Sequence, residues 1–478
     1  MLRLKYVLQD VENIGCINYN DNIEISDVTS DLLSVRPGAV FVAVKGRRFD
    51  GHTVISKAVE RGALCIVCED DTVTDVCTVK VKDSRKALSV LCSNLNGRPS
   101  EKLTIIGITG TNGKTTTCHM LHRILSENGI RCGVIGTVES FRENDRGVVV
   151  KEQTGFTTPG PEILQPLLRK MYESGCTHVV MEVSSQALYQ ERVFGMDFSL
   201  GIFTNLSVDH LDYHGDMLSY KDAKLKLFYQ SKNRLANADS DYSAPFVSMA
   251  KTYSVYGSSD FYAENVCVTV NGCSYDLFCD GKKYPVSLSV TGLFNVYNSL
   301  AAISSAIMLG IDAKKAADSV KKFDGVCGRM EKIAVNAPFS VYIDFAHTPD
   351  GLLNLLISLR SFVKGKIILV FGCGGDRDRS KRPEMGRIAV GYADHVVITS
   401  DNPRSEDPKK IIEDIISGIP ESNNYTVECD RKDAIKYALS IAKKDDAVIL
   451  AGKGHEPYQE IKGVKYPFDE REIVIGSL

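Results

Sequence analysis

Short, nearly uninterrupted apolar runs recur along the chain, each followed by a stretch with helical spacing of apolar residues. In the first hundred residues such runs lie at 39–44 and 64–68. A longer one, 103–109, leads into a glycine-rich loop and a helical pattern, and strand-like runs recur at 178–183 and 200–204. Residues 252–290 are β-rich and residues 295–309 helical in spacing. Beyond Arg329 the runs 341–345, 367–371, 395–399 and 447–451 alternate with further helical segments. A strand that is apolar on both faces must be covered on both, so this alternation predicts an α/β fold with parallel sheets. The polar stretch 94–102, with Gly97 and Pro99, reads as a linker. Three regions follow: 1–100, 101–328 and 329–478.

Composition narrows the classes. At roughly 100–200 residues per domain, 478 residues suit two to four domains. With 44% hydrophobic and 24% charged residues the chain can bury sizeable cores, and global disorder is not expected. A net charge of -3 gives no sign of a nucleic-acid footprint or a polybasic membrane patch. The start, MLRLKYVLQDVENIGC, lacks a signal peptide's apolar core, and no run of about 18 apolar residues offers a membrane span. A cytoplasmic location is expected, and with it reduced thiols for the 14 scattered cysteines. Cys65 and Cys68 form a CxxC without a second pair, inside an apolar run, which suits a half-buried strand better than zinc or redox chemistry.

The sharpest chemical signal is Gly107-Ile108-Thr109-Gly110-Thr111-Asn112-Gly113-Lys114-Thr115-Thr116, between a strand-like run and a helix. Glycines there let backbone N–H groups turn around phosphate oxygens at the positive end of the helix. Lys114 can reach the β- and γ-phosphates, and the Thr115 hydroxyl can hold Mg²⁺. Isoleucine at 108 makes this a variant of the Walker A pattern. Magnesium at phosphates needs a hard oxygen ligand, and Glu182, at the end of the run His178-Val179-Val180-Met181, supplies a candidate. His210 and His214, four apart in HLDYH, would share a helix face as zinc ligands do. Leu211 stands where a zinc protease needs glutamate, so a single magnesium-binding His210 with a structural His214 fits better.

The segments GITGTNGKTTT (107–117), TTPG (157–160), MEVSSQAL (181–188), FTNLSVDHLDYHG (203–215) and AKLKLF (223–228) resemble the Mur ligases. So do GLFNVYNSLAA (292–302), GVCGRME (325–331), DFAHTPDGL (344–352), GCGGDRDRSKRPEMG (372–386), DNPRSEDP (401–408) and AGKGHE (451–456), in the family's order and over nearly the whole chain. The resemblance implies a UDP-sugar-binding N-terminal α/β domain (1–100), a central P-loop ATPase domain with a parallel sheet (101–328) and a Rossmann-like, amino-acid-binding C-terminal domain (329–478). It implies an ADP-forming amide ligase of peptidoglycan synthesis. Such an enzyme adds meso-2,6-diaminopimelate to UDP-N-acetylmuramoyl-L-alanyl-D-glutamate through an acyl phosphate, with ATP as co-substrate and Mg²⁺ as cofactor. A monomer is expected, with neither nucleic acid nor membrane insertion.

Site residues follow from the same resemblance. Gly110, Thr111, Asn112, Gly113, Lys114, Thr115 and Thr116 match the ATP loop. Asn295 and Asn298 match contacts to adenine, and Arg329, Asp344 and His347 match ATP contacts beyond the domain junction. Lys114, Glu182, His210 and Lys224 match the catalytic set. Lys224 corresponds to a carbamylated lysine, N6-carboxylysine, whose carboxylate would join Thr115, Glu182 and His210 around metal. Thr157, Thr158, Ser184, Gln190 and Arg192 match contacts to the UDP-muramoyl-dipeptide. Where the family reads Asp-Ser-Arg before Pro-Gly, this chain reads Asp31-Leu32-Leu33 before Pro37-Gly38, which leaves Thr29 or Ser30 for the uridine nucleotide. Cys327 stands where proline is common. Arg382, Gly452 and Glu456 match contacts to the incoming amino acid, Arg382 for a carboxylate and Glu456 for the distal ammonium.

The loop Asp401-Asn402-Pro403-Arg404 follows the run 395–399, at a carboxyl end where α/β sheets bind ligands. Pro403 stiffens it, Arg404 can grip a carboxylate with two parallel bonds, and Asp401 and Asn402 shape the loop or accept from an ammonium. Other readings weighed are an L-lysine-adding ligase and a catalytically silent nucleotide or UDP-sugar sensor on the same scaffold. A folylpolyglutamate synthetase shares the P-loop, but the DNPR loop and the muramoyl contacts do not suit it.

Overall fold

The computed structural model describes residues 1–46, 49–143, 148–152, 154–421 and 424–478. Three sheets carry the chain. In the first, the order is Asn13–Ile17, Cys77–Val81, Ala63–Cys68, Ala39–Val42, Asp27–Thr29, parallel except for the first pair. Its apolar strands serve two faces: Val40, Val42, Cys65 and Val67 meet Leu88 and Leu91 of helix Ser84–Leu95, while Phe41, Ile66 and Cys68 meet Ile55 and Ala58 of helix Ile55–Glu60. This covering on both sides is what the unbroken apolar runs required. The CxxC at Cys65 and Cys68 is strand, and all 14 cysteines are free thiols.

The stretch expected as a linker is built more tightly than that. Helix Ser84–Leu95 runs into it, the turn Pro99–Lys102 follows, and buried Asn94 donates to Val7 O (2.9 Å) and Gln9 O (2.6 Å). A polar residue at a helix end has here satisfied the backbone of a neighbouring segment rather than water.

The second sheet has 11 strands. Its parallel centre places Thr104–Thr109, the strand leading to the phosphate loop, between His178–Glu182 and Phe198–Phe203. Ser231–Asn237 and Lys251–Ser254 extend it on one side and Cys132–Ile135 on the other. The hairpin Ser140–Glu143/Val149–Glu152 closes one edge, and the β-rich stretch forms an antiparallel run Phe261–Thr269, Gly272–Cys279, Lys282–Leu288 at the other. Helices Lys114–Glu127 and Leu293–Met308 pack together over this sheet.

In the third sheet the order is Glu331–Ile333, Ser340–Asp344, Ala447–Ala451, Ile367–Phe371, His395–Ile398, Tyr425–Val427, parallel after the first pair. Helices Pro349–Arg360, Lys381–Tyr392 and Pro408–Ile416 cover one face; Arg431–Ile441 and Glu470–Ile475 cover the other. Where the chain enters this region, glycine lies against glycine. A Cβ on Gly328 would fall 2.2 Å from Gly454 C, and one on Gly454 2.9 Å from Gly328 O. Among the described residues no helix is long and apolar enough to cross a membrane.

Candidate functional site

The phosphate loop is held from behind by the segment after strand Phe198–Phe203. Asn205 accepts from Asn112 N through Oδ1 (2.8 Å) and from Thr111 N through its carbonyl (2.9 Å), and Thr204 Oγ1 donates to Asn112 O (2.6 Å). The loop is so close to this segment that a Cβ on Gly110 would fall 1.9 Å from Thr204 Oγ1; Gly113, at φ +83, caps helix Lys114–Glu127 with its backbone left-handed. Half-buried Lys114 folds over its own loop, Nζ donating to Gly110 O (2.9 Å) and Thr111 O (2.8 Å), and burial lowers its pKa. Thr115 and Thr116 are buried in the first helical turn.

Glu182 ends its strand 1% exposed, with Oε2 accepting from Thr115 Oγ1 (2.9 Å) and Thr137 Oγ1 (3.1 Å) and Oε1 from Thr137 N (2.7 Å). It has no ion-pair partner among the described residues. Lys224 is 1% exposed on helix Met217–Tyr229, not the solvated helix lysine its local sequence suggests. Its Nζ donates to Gly110 O (2.8 Å), the carbonyl that Lys114 also uses, and lies 4.4 Å from the Tyr220 ring centroid. Burial, and then the neighbouring Lys114 charge, push the Lys224 amine well below the ordinary lysine range. His210 precedes the short helix Leu211–His214 with a left-handed backbone (φ 54°), so it is not on a shared helix face with His214. Its Nε2 lies 3.3 Å from Asp209 Oδ2 and its ring is edge-on to Tyr220 at 6.3 Å; the His214 ring is nearer Tyr220 (5.1 Å), with Nε2 3.0 Å from Ser185 Oγ.

Asn295 and Asn298, the pair expected at adenine, lie on helix Leu293–Met308. Both are buried behind the loop: Asn298 Oδ1 accepts from Thr117 Oγ1 (3.4 Å) and lies against Gly113, while Asn295 Nδ2 donates to Thr291 O (2.8 Å). Asn298 thus braces the phosphate-loop helix, and Asn295 Oδ1 accepts from Asn298 Nδ2 (3.3 Å). From the third region, Arg329 reaches in, with Nη2 donating to Thr115 Oγ1 (3.4 Å) and its guanidinium 4.5 Å from the Phe345 ring. Asp344 anchors the loop beside it, accepting from Met330 N (2.6 Å) and Ala346 N (2.7 Å); burial raises its pKa. Burial holds the His347 imidazole at about 4, hence neutral near pH 7. Asp350, on helix Pro349–Arg360, adds a contact that the motifs did not single out. Its Oδ2 accepts from Asn112 Nδ2 (2.9 Å) and Ser207 Oγ (2.6 Å).

A second cluster adjoins Glu182. Thr157 Oγ1 bonds Thr137 Oγ1 (2.9 Å), and Thr158 Oγ1 donates to Glu182 O (2.9 Å) and accepts from Ser184 N (3.0 Å). Arg192 donates to Thr158 O (2.7 Å) and, through Nη2, to Gln190 Oε1 (2.8 Å); Gln190 Nε2 donates to Tyr213 OH (2.7 Å). Desolvation lowers the pKa of Arg192. Beside them a cavity of about 270 Å³ opens between the first two regions, lined by Val44, Gly46, Arg85, Tyr189, Gln190 and Tyr213. Arg85, Tyr189 and Thr137 carry no motif of their own. Ser30 is not in that cavity's lining. Its hydroxyl and amide both donate to Glu162 Oε1 (2.7 and 3.1 Å), which makes it a clasp between the first two regions.

In the third region Asp401, Asn402 and Pro403 are buried and Arg404 half-buried at φ 50°. Asn402 Nδ2 donates to Glu456 Oε2 (2.7 Å), Arg404 Nη1 to Gly375 O (2.7 Å), and Gly452 lies close enough to Asp401 that a Cβ there would meet Oδ2 at 2.8 Å. Burial raises the pKa of Glu456. Arg382 departs from expectation. It is 0% exposed and its guanidinium is committed to Glu406 (2.9 and 3.0 Å) and Asp414 (2.8 Å). With both Nη groups engaged in this way it braces the loop from below and presents no fork to a ligand. Arg377 and Arg379 of the same segment are exposed; Arg379 pairs with Glu406, and Arg377 shares the surroundings of Gly374 with Arg404.

Family models match three successive segments: the Mur ligase family catalytic domain at residues 24–94, the Mur ligase middle domain at 108–306, and the Mur ligase glutamate ligase domain at 328–454. A UDP-N-acetylmuramoyl-L-alanyl-D-glutamate–2,6-diaminopimelate ligase of Clostridium tetani is 41% identical over 99% of this chain and 98% of its own. One of Listeria monocytogenes is 42% identical over 95% of this chain and 94% of its own. A solved structure of such a ligase superposes at a TM-score of 0.71 with 31% identity, covering 100% of this chain and 98% of that one. A folylpolyglutamate synthase of Mycobacterium tuberculosis shares the fold, with a TM-score of 0.62 at 18% identity over 76% of this chain and 91% of its own.

Proposed function

The chain belongs to the Mur ligase family, and we propose that it joins meso-2,6-diaminopimelate to UDP-N-acetylmuramoyl-L-alanyl-D-glutamate, converting ATP to ADP and phosphate, in peptidoglycan synthesis. It is an ATP-dependent amide ligase. Condensing a carboxylate with an amine in water is uphill. Transfer of the γ-phosphoryl group to the substrate carboxylate gives an acyl phosphate; the amine attacks its carbonyl, the amide bond forms, and phosphate leaves. The protein has to bring carboxylate and phosphoryl group together and offset their crowded negative charge.

One observation carries this reading. A line of hydrogen bonds, Thr157 to Thr137 (2.9 Å), Thr137 to Glu182 (3.1 Å) and Thr115 to Glu182 (2.9 Å), joins the muramoyl cluster to the phosphate loop. Substrate carboxylate and nucleotide phosphate held at its two ends would be neighbours. Lys114 would release its own carbonyls to reach the phosphates, and Arg329 would add a second cation from the third region.

The residues suit Mg²⁺. Glu182 is a buried carboxylate whose nearest cations, Lys114 and Arg329, act on it only beyond ion-pair distance, which is costly without another positive partner. Glu182 and the Thr115 hydroxyl are hard oxygen ligands that leave an ion room for waters and phosphate oxygens. When bound there, Mg²⁺ neutralises charge on the phosphate oxygens. His210 and Lys224 both lie near the Tyr220 ring. Two amines on the one carbonyl of Gly110 repel each other, and only a neutral amine adds CO₂. Lys224, with its lowered pKa, meets that condition: amine plus CO₂ gives the carbamate and a proton, and repulsion of Lys114 becomes attraction.

For the incoming amino acid, Arg404 and Arg377 offer guanidinium groups to the distal carboxylate, Asn402 Nδ2 adds a donor to it, and Glu456 takes the distal ammonium. Arg377 thus replaces Arg382 in our assignment. We place the reaction in the cytoplasm, where ATP and UDP-sugars occur, and assign it to the monomer, whose three regions supply every residue named. Phosphate release should require UDP-N-acetylmuramoyl-L-alanyl-D-glutamate together with meso-diaminopimelate. Release with L-lysine alone would shift the reading to the lysine-adding ligase, and none with any amino acid would leave a nucleotide-binding sensor.

A further inference from the structure

Behind the loop Asp401-Asn402-Pro403-Arg404 lies a lysine that the chemistry above does not use. Lys453 is 0% exposed. Its Nζ donates to Asn402 Oδ1 (3.1 Å) and lies 3.9 Å from Glu456 Oε2, with the rings of Tyr458 and Phe468 at 5.8 and 5.9 Å. Burial lowers its pKa, and Asp401 and Glu456 are among the charges that pull it back up. A packing role alone would favour an uncharged chain of the same length, since a buried ammonium must be matched by acceptors. The acceptors here, Asn402 and Glu456, both belong to the amino-acid site.

Their geometry fixes polarity. The backbone N–H of Glu460 donates to Asn402 Oδ1 (2.9 Å), and because that group can only donate, the amide oxygen points to it and to Lys453. The amide nitrogen therefore points the other way, to Glu456 Oε2 (2.7 Å). One of its two hydrogens and the second oxygen of Glu456 remain for a ligand.

We propose that Lys453 is a positioning residue for amino-acid selectivity: from behind the site it holds Asn402 and Glu456 with one donor and one carboxylate oxygen turned toward the distal ammonium–carboxylate pair. The inference rests on the amino-acid assignment above. A substrate with a zwitterionic far end uses both groups at once, whereas one with a lone ammonium uses only the carboxylate.

The test is Lys453→Met in the full-length enzyme, with meso-diaminopimelate and L-lysine assayed in parallel. A hydrogen bond to a charged group makes the expected rise in KM for diaminopimelate about ten- to a hundredfold. kcat at saturation should stay within about threefold, and KM for lysine should move much less, so the preference narrows. Lys453→Gln, whose amide can still donate to Asn402, should recover part of the loss. Adding Lys453→Met to Asn402→Ala should cost little beyond Asn402→Ala alone, because the two act as one unit. Unchanged KM, equal losses for both amino acids, or failure of both single variants to fold would each overturn the positioning role. A wild-type enzyme without preference would instead overturn the amino-acid assignment itself; a wild-type preference kept intact in Lys453→Met would overturn only the role of Lys453.

Discussion

Asp350→Ala removes the carboxylate that ties the third region to the phosphate loop. Two hydrogen bonds across the junction are lost, from Asn112 Nδ2 (2.9 Å) and Ser207 Oγ (2.6 Å). Bonds to a charged acceptor contribute about 1.5–3 kcal/mol each, and the half-exposed position of Asp350 argues for the lower figure. Together they amount to about 3 kcal/mol, roughly a hundredfold in the equilibrium between docked and undocked arrangements. Both partners lie outside the hydrophobic cores, so the melting temperature should change by only about 2 °C. We expect kcat/KM for ligation to fall by up to about a hundredfold, with Asp350→Asn, which keeps an acceptor oxygen, in between. Small-angle scattering should show the wild type compacting with nucleotide and UDP-substrate and the alanine variant compacting less. A kcat/KM within threefold of wild type, or identical wild-type profiles with and without ligands, would refute the reasoning.

Other substitutions probe the remaining parts. Lys224→Ala should be nearly inactive, and small carboxylic acids should restore part of the turnover by supplying the missing carboxylate in the vacated space; full activity without them would exclude a carbamate. Arg404→Ala should lose most of the preference for meso-diaminopimelate over L-lysine, which an unpaired buried reader can set as high as roughly 10⁴–10⁵; unchanged selectivity in parallel kinetics would count against it. Arg382→Met should lower stability. Arg382 holds the Glu406 carboxyl at about 2, below the ordinary 4.5, so the pair's contribution is complete above about pH 5 and fades as pH falls toward 2. Urea midpoints of wild type and variant should therefore differ most near neutral pH and converge in acid, and a constant gap would contradict the ion-pair account.

The sequence pattern exposed what depends on local order. Apolar runs marked the parallel strands because both faces of each are covered, and Gly110, Gly113, Lys114 and Thr115 lie in one continuous loop whose backbone dictates their placement. What escaped depends on partners distant along the chain. Arg382 looks like a reader until Glu406 and Asp414 close on it from loop and helical positions 24 and 32 residues away. Lys224 looks solvated until Gly110 and Tyr220 enclose it, and Ser30 looks open until Glu162, 132 residues on, takes its hydroxyl. Asn295 and Asn298 share a helix face as spacing requires, but Asn298 is taken up by Thr117 of the phosphate-loop helix and Asn295 by Thr291. Arg85 and Tyr189 line one cavity without any motif, since a cavity wall needs only shape and hydrogen bonds.

Gly328 and Gly454 touch backbone to backbone, one in the chain crossing between the second and third regions and the other in the segment carrying Gly452 and Glu456. Neither position has room for a methyl group, so sequence drift at one cannot be relieved by drift at the other: the only smaller side chain is already in use at both. The pair is a point where mutation has no permissive route. A small molecule seated against these two glycines would meet a surface from which resistance by side-chain substitution is sterically closed, because any added Cβ would wedge apart the same two regions that the ligand holds.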